Sequence, residues 1–179
     1  AALVRAQIGL ITLDEEVLST FEPDAPPPNV RLAQLRELNA AGIRTQIRID
    51  PILPGLTDTP ETFERLCAAA SSAGVKDAAA SSLFIRPAPL HKLREAAATN
   101  GLVAKCLAAF HGARRVAIHA ERSTVTALPA CERERIFQLL ERVAARFAIT
   151  VKRCACKNPD IATGTCSIAG DWTLKDEQS

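Results

Sequence analysis

Two groups of residues in this sequence have the types and spacing to do chemistry. The first is Cys154-Ala155-Cys156-x9-Cys166, in a stretch that also holds Asn158-Pro159 and Gly164. Closely spaced thiolates on a turning segment suit zinc or an iron–sulfur cluster, because soft ligands select those metals. Three thiols are one short of the usual four; Cys131, His119 or an external ligand could complete the set. Unligated thiols or a single disulfide are the alternatives. The second group is Arg44, Gln46, Arg48 and Asp50, every other residue of one segment. In a strand, alternate residues share a face, so these four would line one side and Thr45, Ile47 and Ile49 the other. A polar face on an interior strand suits a barrel whose lumen holds a polar ligand. Arg48 and Asp50 could pair with each other or contact a substrate.

The elements that position these residues follow from periodicity and punctuation. Residues 4–12 read as a buried strand. Pro23 and Pro26 to Pro28 force a loop, after which Asn29 is a plausible N-cap. Leu32, Leu35 and Leu38 give a helical stripe that Gly42 closes. Residues 43–49 are the second strand, ended by Pro51, Pro54 and Gly55. Thr59 caps a helix with Pro60 in its first position and Phe63, Leu66, Cys67 and Ala70 on its buried stripe. Residues 77–85 read as a third strand. The expectation is three parallel strands in sequential order, with helices near 30–41 and 60–73 on one side and one sheet edge open. Beyond Pro89 the rhythm changes: 90–111 looks helical, 115–119 is a short strand, and 131–147 is a helix.

Composition narrows the function classes. The chain has 179 residues, of which 47% are apolar, so a sizeable core is expected. A net charge of +2, from 22 basic and 20 acidic residues, gives no polyelectrolyte signature. With one Trp, no Tyr and six Phe, an aromatic-stacking nucleic-acid module is poorly supported. No apolar run reaches the length of a membrane span, and the residues given show no signal-peptide pattern, so a cytoplasmic protein with no membrane partner is expected. That context favours free thiols or metal ligands over a disulfide framework. There is no Met, even at position 1, so a processed or truncated N-terminus is expected. His91, His111 and His119 lie far apart and read as surface or capping residues. There is no Ser/His/Asp arrangement, phosphate loop or nucleotide-binding glycine pattern.

From Ile8 to Ile52 the sequence carries Phe21-Glu22-Pro23, then Arg31-Leu32, then Ala41-Gly42-Ile43-Arg44, then Asp50-Pro51-Ile52. In this run it resembles, without a gap, the spore photoproduct lyase-like (DNA repair photolyase-like) branch of the radical S-adenosylmethionine superfamily. Pro54-Gly55-Leu56-Thr57-Asp58 is similar to the segment that follows the fifth strand in many of those barrels. The resemblance implies an α/β fold: the C-terminal half of an incomplete (β/α)6 TIM-like barrel. Residues 1–88 would be the half-barrel, with strands four to six. Residues 89–179 would be a mostly helical C-terminal region with a cysteine-rich tail.

The resemblance also implies function. The complete protein would be an iron–sulfur enzyme that uses a [4Fe-4S] cluster to cleave S-adenosylmethionine, on an unknown substrate. The cluster loop of those enzymes, C-x-x-x-C-x-x-C, does not occur here, so this stretch alone is expected to be inactive. The basic residue that approaches the methionyl carboxylate falls on Arg44, and a serine that contacts the cofactor falls on Gly9. Arg48 shares Arg44's face and is the third candidate cofactor residue. The cysteine that returns a hydrogen atom in the lyases falls on Gln7; an amide has no weak S–H bond, so repair by that route is not expected. Nucleic acid enters as a partner through the resemblance alone. The resemblance draws Cys154, Cys156 and Cys166 toward a second iron–sulfur cluster. The rival reading is a non-radical α/β scaffold with a cysteine-rich tail that binds zinc or iron–sulfur.

Overall fold

A computed structural model of the chain describes residues 5–110, 112–118, 123–155, 157–158 and 160–164. In chain order the elements are β1 (Arg5–Gly9), α1 (Glu15–Phe21), α2 (Pro28–Ala40), β2 (Arg44–Ile52), α3 (Pro60–Ser72) and β3 (Asp77–Ser82). They continue with β4 (Phe84–Ile85), α4 (Pro87–Ala97), α5 (Gly101–Ala108), β5 (Arg114–Ile118), β6 (Ser123–Ala127), α6 (Ala130–Ala145) and β7 (Thr150–Arg153). β1, β2, β3 and β7 form an all-parallel sheet in that order. β4, β6 and β5 form a separate antiparallel sheet. No helix among the described residues is long and apolar enough to cross a membrane.

The strand alternation expected for β2 decides the layering. Thr45, Ile47, Ile49 and Ile52 are buried, while Gln46, Arg48 and Asp50 lie between them on the other face. In register, Ile47 sits between Ile8 and Ala78, and Ala80 beside Ile49, giving one apolar face. Onto it pack Leu32 and Leu35 of α2, Phe63, Leu66 and Ala70 of α3, and Ile136, Phe137, Leu140 and Ala144 of α6. Phe63 and Phe137 are fully buried. Each such side chain contributes roughly 1.5–3 kcal/mol of burial. The alanines of β3 give those rings room to approach the sheet. A smaller cluster of Ile11, Val17, Leu18, Leu53 and Cys106 joins α1 and α5 beyond the strand ends.

Several expectations are met in detail. Thr59 Oγ1 accepts from Thr62 N and caps α3 with Pro60 first, and Gly42 and Gly74 take φ of +75 and +84 at the helix ends. Other points differ. The N-cap of α2 is Pro27, without a side-chain bond; Asn29 lies inside the first turn. The helix α1 has no counterpart in the sequence reading, although Asp14 Oδ1 accepts from Glu16 N and Val17 N as an N-cap should. The span 77–85 divides, because β4 leaves β3 to pair antiparallel with β6. The span 90–111 is two helices, separated where Asn100 caps α5. The region beyond 88 carries three strands as well as helices, and its β7 adds a fourth parallel strand beside β3. β1 and β7 are thus the two margins of the parallel sheet among the described residues, each with one strand partner.

Candidate functional site

The face of the parallel sheet opposite the helices carries a connected polar chain. Gln7 Nε2 donates to Gln46 Oε1 at 2.6 Å, and Arg48 Nη1 reaches Gln7 Oε1 at 3.4 Å. Arg48 Nε and Nη2 both donate to Asp50 Oδ2, at 2.8 and 2.5 Å. Lys157 Nζ donates to the same carboxylate, 2.8 Å from Oδ2 and 3.0 Å from Oδ1. The ammonium also lies over the Phe84 ring, 5.1 Å from its centroid. Asp50 is 5% exposed, whereas Arg48 and Lys157 keep 24% and 28%. The cluster therefore holds two cations around one buried carboxylate. It lies toward the C-terminal ends of the strands, the end at which open α/β sheets and barrels bind ligands.

Lys157 reaches Asp50 because the loop after β7 is folded back and anchored. Ala155 N donates to Gly164 O, and Cys154 bridges Gly164 in parallel. Buried Arg133 of α6 donates to Leu128 O, Asn158 Oδ1 and both oxygens of Asp160. Asn158 Nδ2 in turn reaches Ser81 Oγ at the end of β3. The hydrogen bond from Arg133 holds the Asp160 carboxyl below its ordinary 3.8. The loop is thus tied to α6 and to β3 at Asn158 and Asp160, immediately after Lys157.

The residues singled out from the sequence fall at different places. Gly9 pairs with Arg48 across the strands, and a Cβ placed at Gly9 would meet nothing within 4 Å. Arg48 is in the polar chain. Arg44 opens β2 at its N-terminal end, where it pairs with Asp77 at 3.1 Å; the length of the strand separates it from Asp50. Glu22 and Arg31 do bridge the proline loop, at 2.8 Å, and Arg31 also donates to Gly9 O and Pro26 O. Cys154 is a buried free thiol at the end of β7. Cys156 and Cys166 lie outside the described residues, as do His111 and His119. Cys131 is an exposed thiol on α6, and His91 pairs with Glu95 on the surface.

Other titratable groups near the strand ends are set by burial. Cys67 and Cys106 are pushed up to about 11 and about 12, so neither is a thiolate at neutral pH. Burial also raises Asp58, against hydrogen bonds from its own amide and that of Gly55. Asp58 and Thr57 shape the turn after β2: Gly55 N donates to Asp58 Oδ1 and Leu53 N to Thr57 Oγ1. Sequence reasoning missed Lys157 and the Arg133 anchor. The signal available was slight: a basic residue two positions before Pro159, and an arginine among the charged residues of an amphipathic helix.

No family model matches the chain. Part of it is similar to the uncharacterized protein Mb2609c of Mycobacterium bovis, with 30% identity over 83 residues. The uncharacterized protein Rv2578c of Mycobacterium tuberculosis matches to the same extent. In both cases the match covers 46% of this chain and 24% of the relative. The uncharacterized protein ORF301 of Acidianus two-tailed virus is 40% identical over 48 residues, 27% of this chain and 16% of its own. The matched segment is thus about a quarter or less of each relative.

Proposed function

We propose that this chain is the C-terminal part of a radical S-adenosylmethionine enzyme resembling spore photoproduct lyase, with its substrate open. The observation that carries the reading is the layering of the parallel sheet. Sequential parallel strands with α2, α3 and α6 on one face and a polar chain on the other have the form of a barrel wall seen from its lumen. On this reading β1, β2 and β3 are strands four, five and six of a TIM-like barrel, and β7 extends the series.

The residues present suit one of the two groups the reading calls for. Open space at Gly9 and the paired cations Arg48 and Lys157 on Asp50 suit a cofactor that brings a carboxylate. When bound in such enzymes, the cofactor is cleaved at a reduced [4Fe-4S] cluster to a 5′-deoxyadenosyl radical. This chain's part is to bind and orient: Arg48 and Lys157 supply charge, Asp50 fixes both, and Gly9 leaves room. The cluster is a different matter. No three His, Cys, Asp or Glu side chains converge among the described residues, and the cluster loop motif does not occur in the sequence. These residues do not fit the cluster, which on this reading is held elsewhere in the complete protein.

The test is the complete polypeptide, purified without oxygen. It should carry C-x-x-x-C-x-x-C upstream of residue 1, and iron and acid-labile sulfide that serine substitution of those cysteines removes. A complete protein without that motif and without iron would overturn the reading in favour of a non-radical α/β scaffold.

A further inference from the structure

We propose that the outer edge of β5 docks an acidic peptide segment of a partner protein, which pairs along it in extended form. The edge comes from the topology. In the antiparallel sheet the order is β4, β6, β5, so β5 has a strand on one side only among the described residues. Val116 lies opposite Val125 and Arg115 opposite Thr126, and the backbone groups of alternate β5 residues turn away from β6. Among the described residues no other element bonds to those outward groups. The template is firm: Ile85, Val125 and Ala127 of this sheet are buried, and α4 packs on β6. An edge already held in strand form spares a peptide part of the ordering cost of binding.

Charge selects the peptide. Residues 84–118 hold six arginines and lysines against one acidic residue, Glu95, whereas the whole chain has 22 against 20. Arg114 and Arg115 are exposed, and neither has an ion pair among the described residues. The strands of the parallel sheet differ: there Arg44 pairs with Asp77 and Arg153 with Glu141. Successive strand residues point to opposite faces, so the two guanidiniums flank the edge above and below the sheet. A paired strand alternates in the same way, so two adjacent carboxylates in it reach both. Cations on an edge strand repel neutral and basic strands, and an acidic strand is the partner they admit. A phosphate backbone meets the guanidiniums but leaves the strand's N–H and C=O groups unpaired, so edge and charge together favour a peptide. This face belongs to the other sheet from the Asp50 cluster and serves whichever reaction the complete protein performs.

Fluorescence anisotropy with the complete protein tests this, using the labelled, end-blocked peptide Thr-Val-Thr-Glu-Glu-Val-Thr at low ionic strength. Binding is expected, and the double variant Arg114→Ser, Arg115→Ser should weaken it about 3- to 30-fold, the effect of losing two exposed ion pairs. Two N-methylated peptides probe the backbone without altering the protein. Methyls on one alternate set of residues should abolish binding, and methyls on the other set should leave it within about twofold. Equal effects of the two sets, no effect of the double variant, or no binding at all overturns the proposal. A short oligothymidylate that displaces the peptide and binds more tightly gives the face to nucleic acid and overturns it too. So does light scattering that shows the complete protein dimeric and the double variant monomeric, which gives the edge to a second copy of the chain.

Discussion

At the scale of single residues, the site is a charge balance built around Asp50. Removing its carboxylate takes away the acceptor that Arg48 and Lys157 share. Asp50→Asn should therefore destabilise the chain by about 1–3 kcal/mol, the cost of stripping a charged hydrogen-bond partner from a buried cluster. Lys157→Met should cost less, because Arg48 still neutralises the carboxylate. Urea unfolding of the two variants checks the order, and a larger loss for Lys157→Met would contradict it. The Arg48–Asp50 pair was legible in the sequence, since both residues lie on one strand two positions apart. Lys157 was not, because 107 positions separate it from Asp50 and its place depends on how a loop folds back. Arg44 shares a face with Arg48, and the alternation gave that correctly. Alternation says nothing about which end of a strand faces a ligand.

At the scale of elements, the decisive piece is the loop from Cys154 to Gly164 and its clamp on α6. Arg133→Leu should free the loop while α6 keeps its apolar stripe, so amide exchange at Ala155 and Asn158 should quicken well before exchange at Phe137. Uniform quickening through α6 would show that Arg133 supports the helix instead. The clamp also has a pH signature. Arg133 depresses the Asp160 carboxyl, and a group depressed in the fold gives stability that is complete above its ordinary pKa and is lost as pH falls through the lowered value. Protection of the loop amides should hold above about pH 4 and fall in stronger acid, and Asp160→Asn should remove that dependence. The helices with strong stripes, α3 and α6, were legible within a residue or two. The seven-residue α1 was hidden by its brevity, although Asp14 with two following glutamates marked its start. The division between β3 and β4 could not be read from 77–85, because a run of small and apolar residues does not record which sheet it joins.

At the scale of the whole molecule, the parallel sheet has helices on one face and a polar chain on the other, with β1 at one margin. Leu10 N donates to Arg48 O, so the Gln7 amide, of opposite parity, points to the far side of β1. If the complete polypeptide continues the barrel there, that amide should exchange freely in this chain and be protected in the complete protein. Equal exchange in both would place the rest of the protein elsewhere. The match takes up 24% of the mycobacterial proteins. The parallel order was legible from strand–helix spacing; the return of β7 to the sheet was not, because five elements intervene between β3 and α6. The central claim is that the complete protein cleaves S-adenosylmethionine by radical chemistry. The most direct measurement is chromatography of the nucleosides formed when the complete, cluster-loaded protein is reduced with dithionite in the presence of S-adenosylmethionine. Formation of 5′-deoxyadenosine and methionine, in amounts at least matching the protein, is the predicted result. Full recovery of intact S-adenosylmethionine from a reduced, cluster-loaded protein would contradict the account.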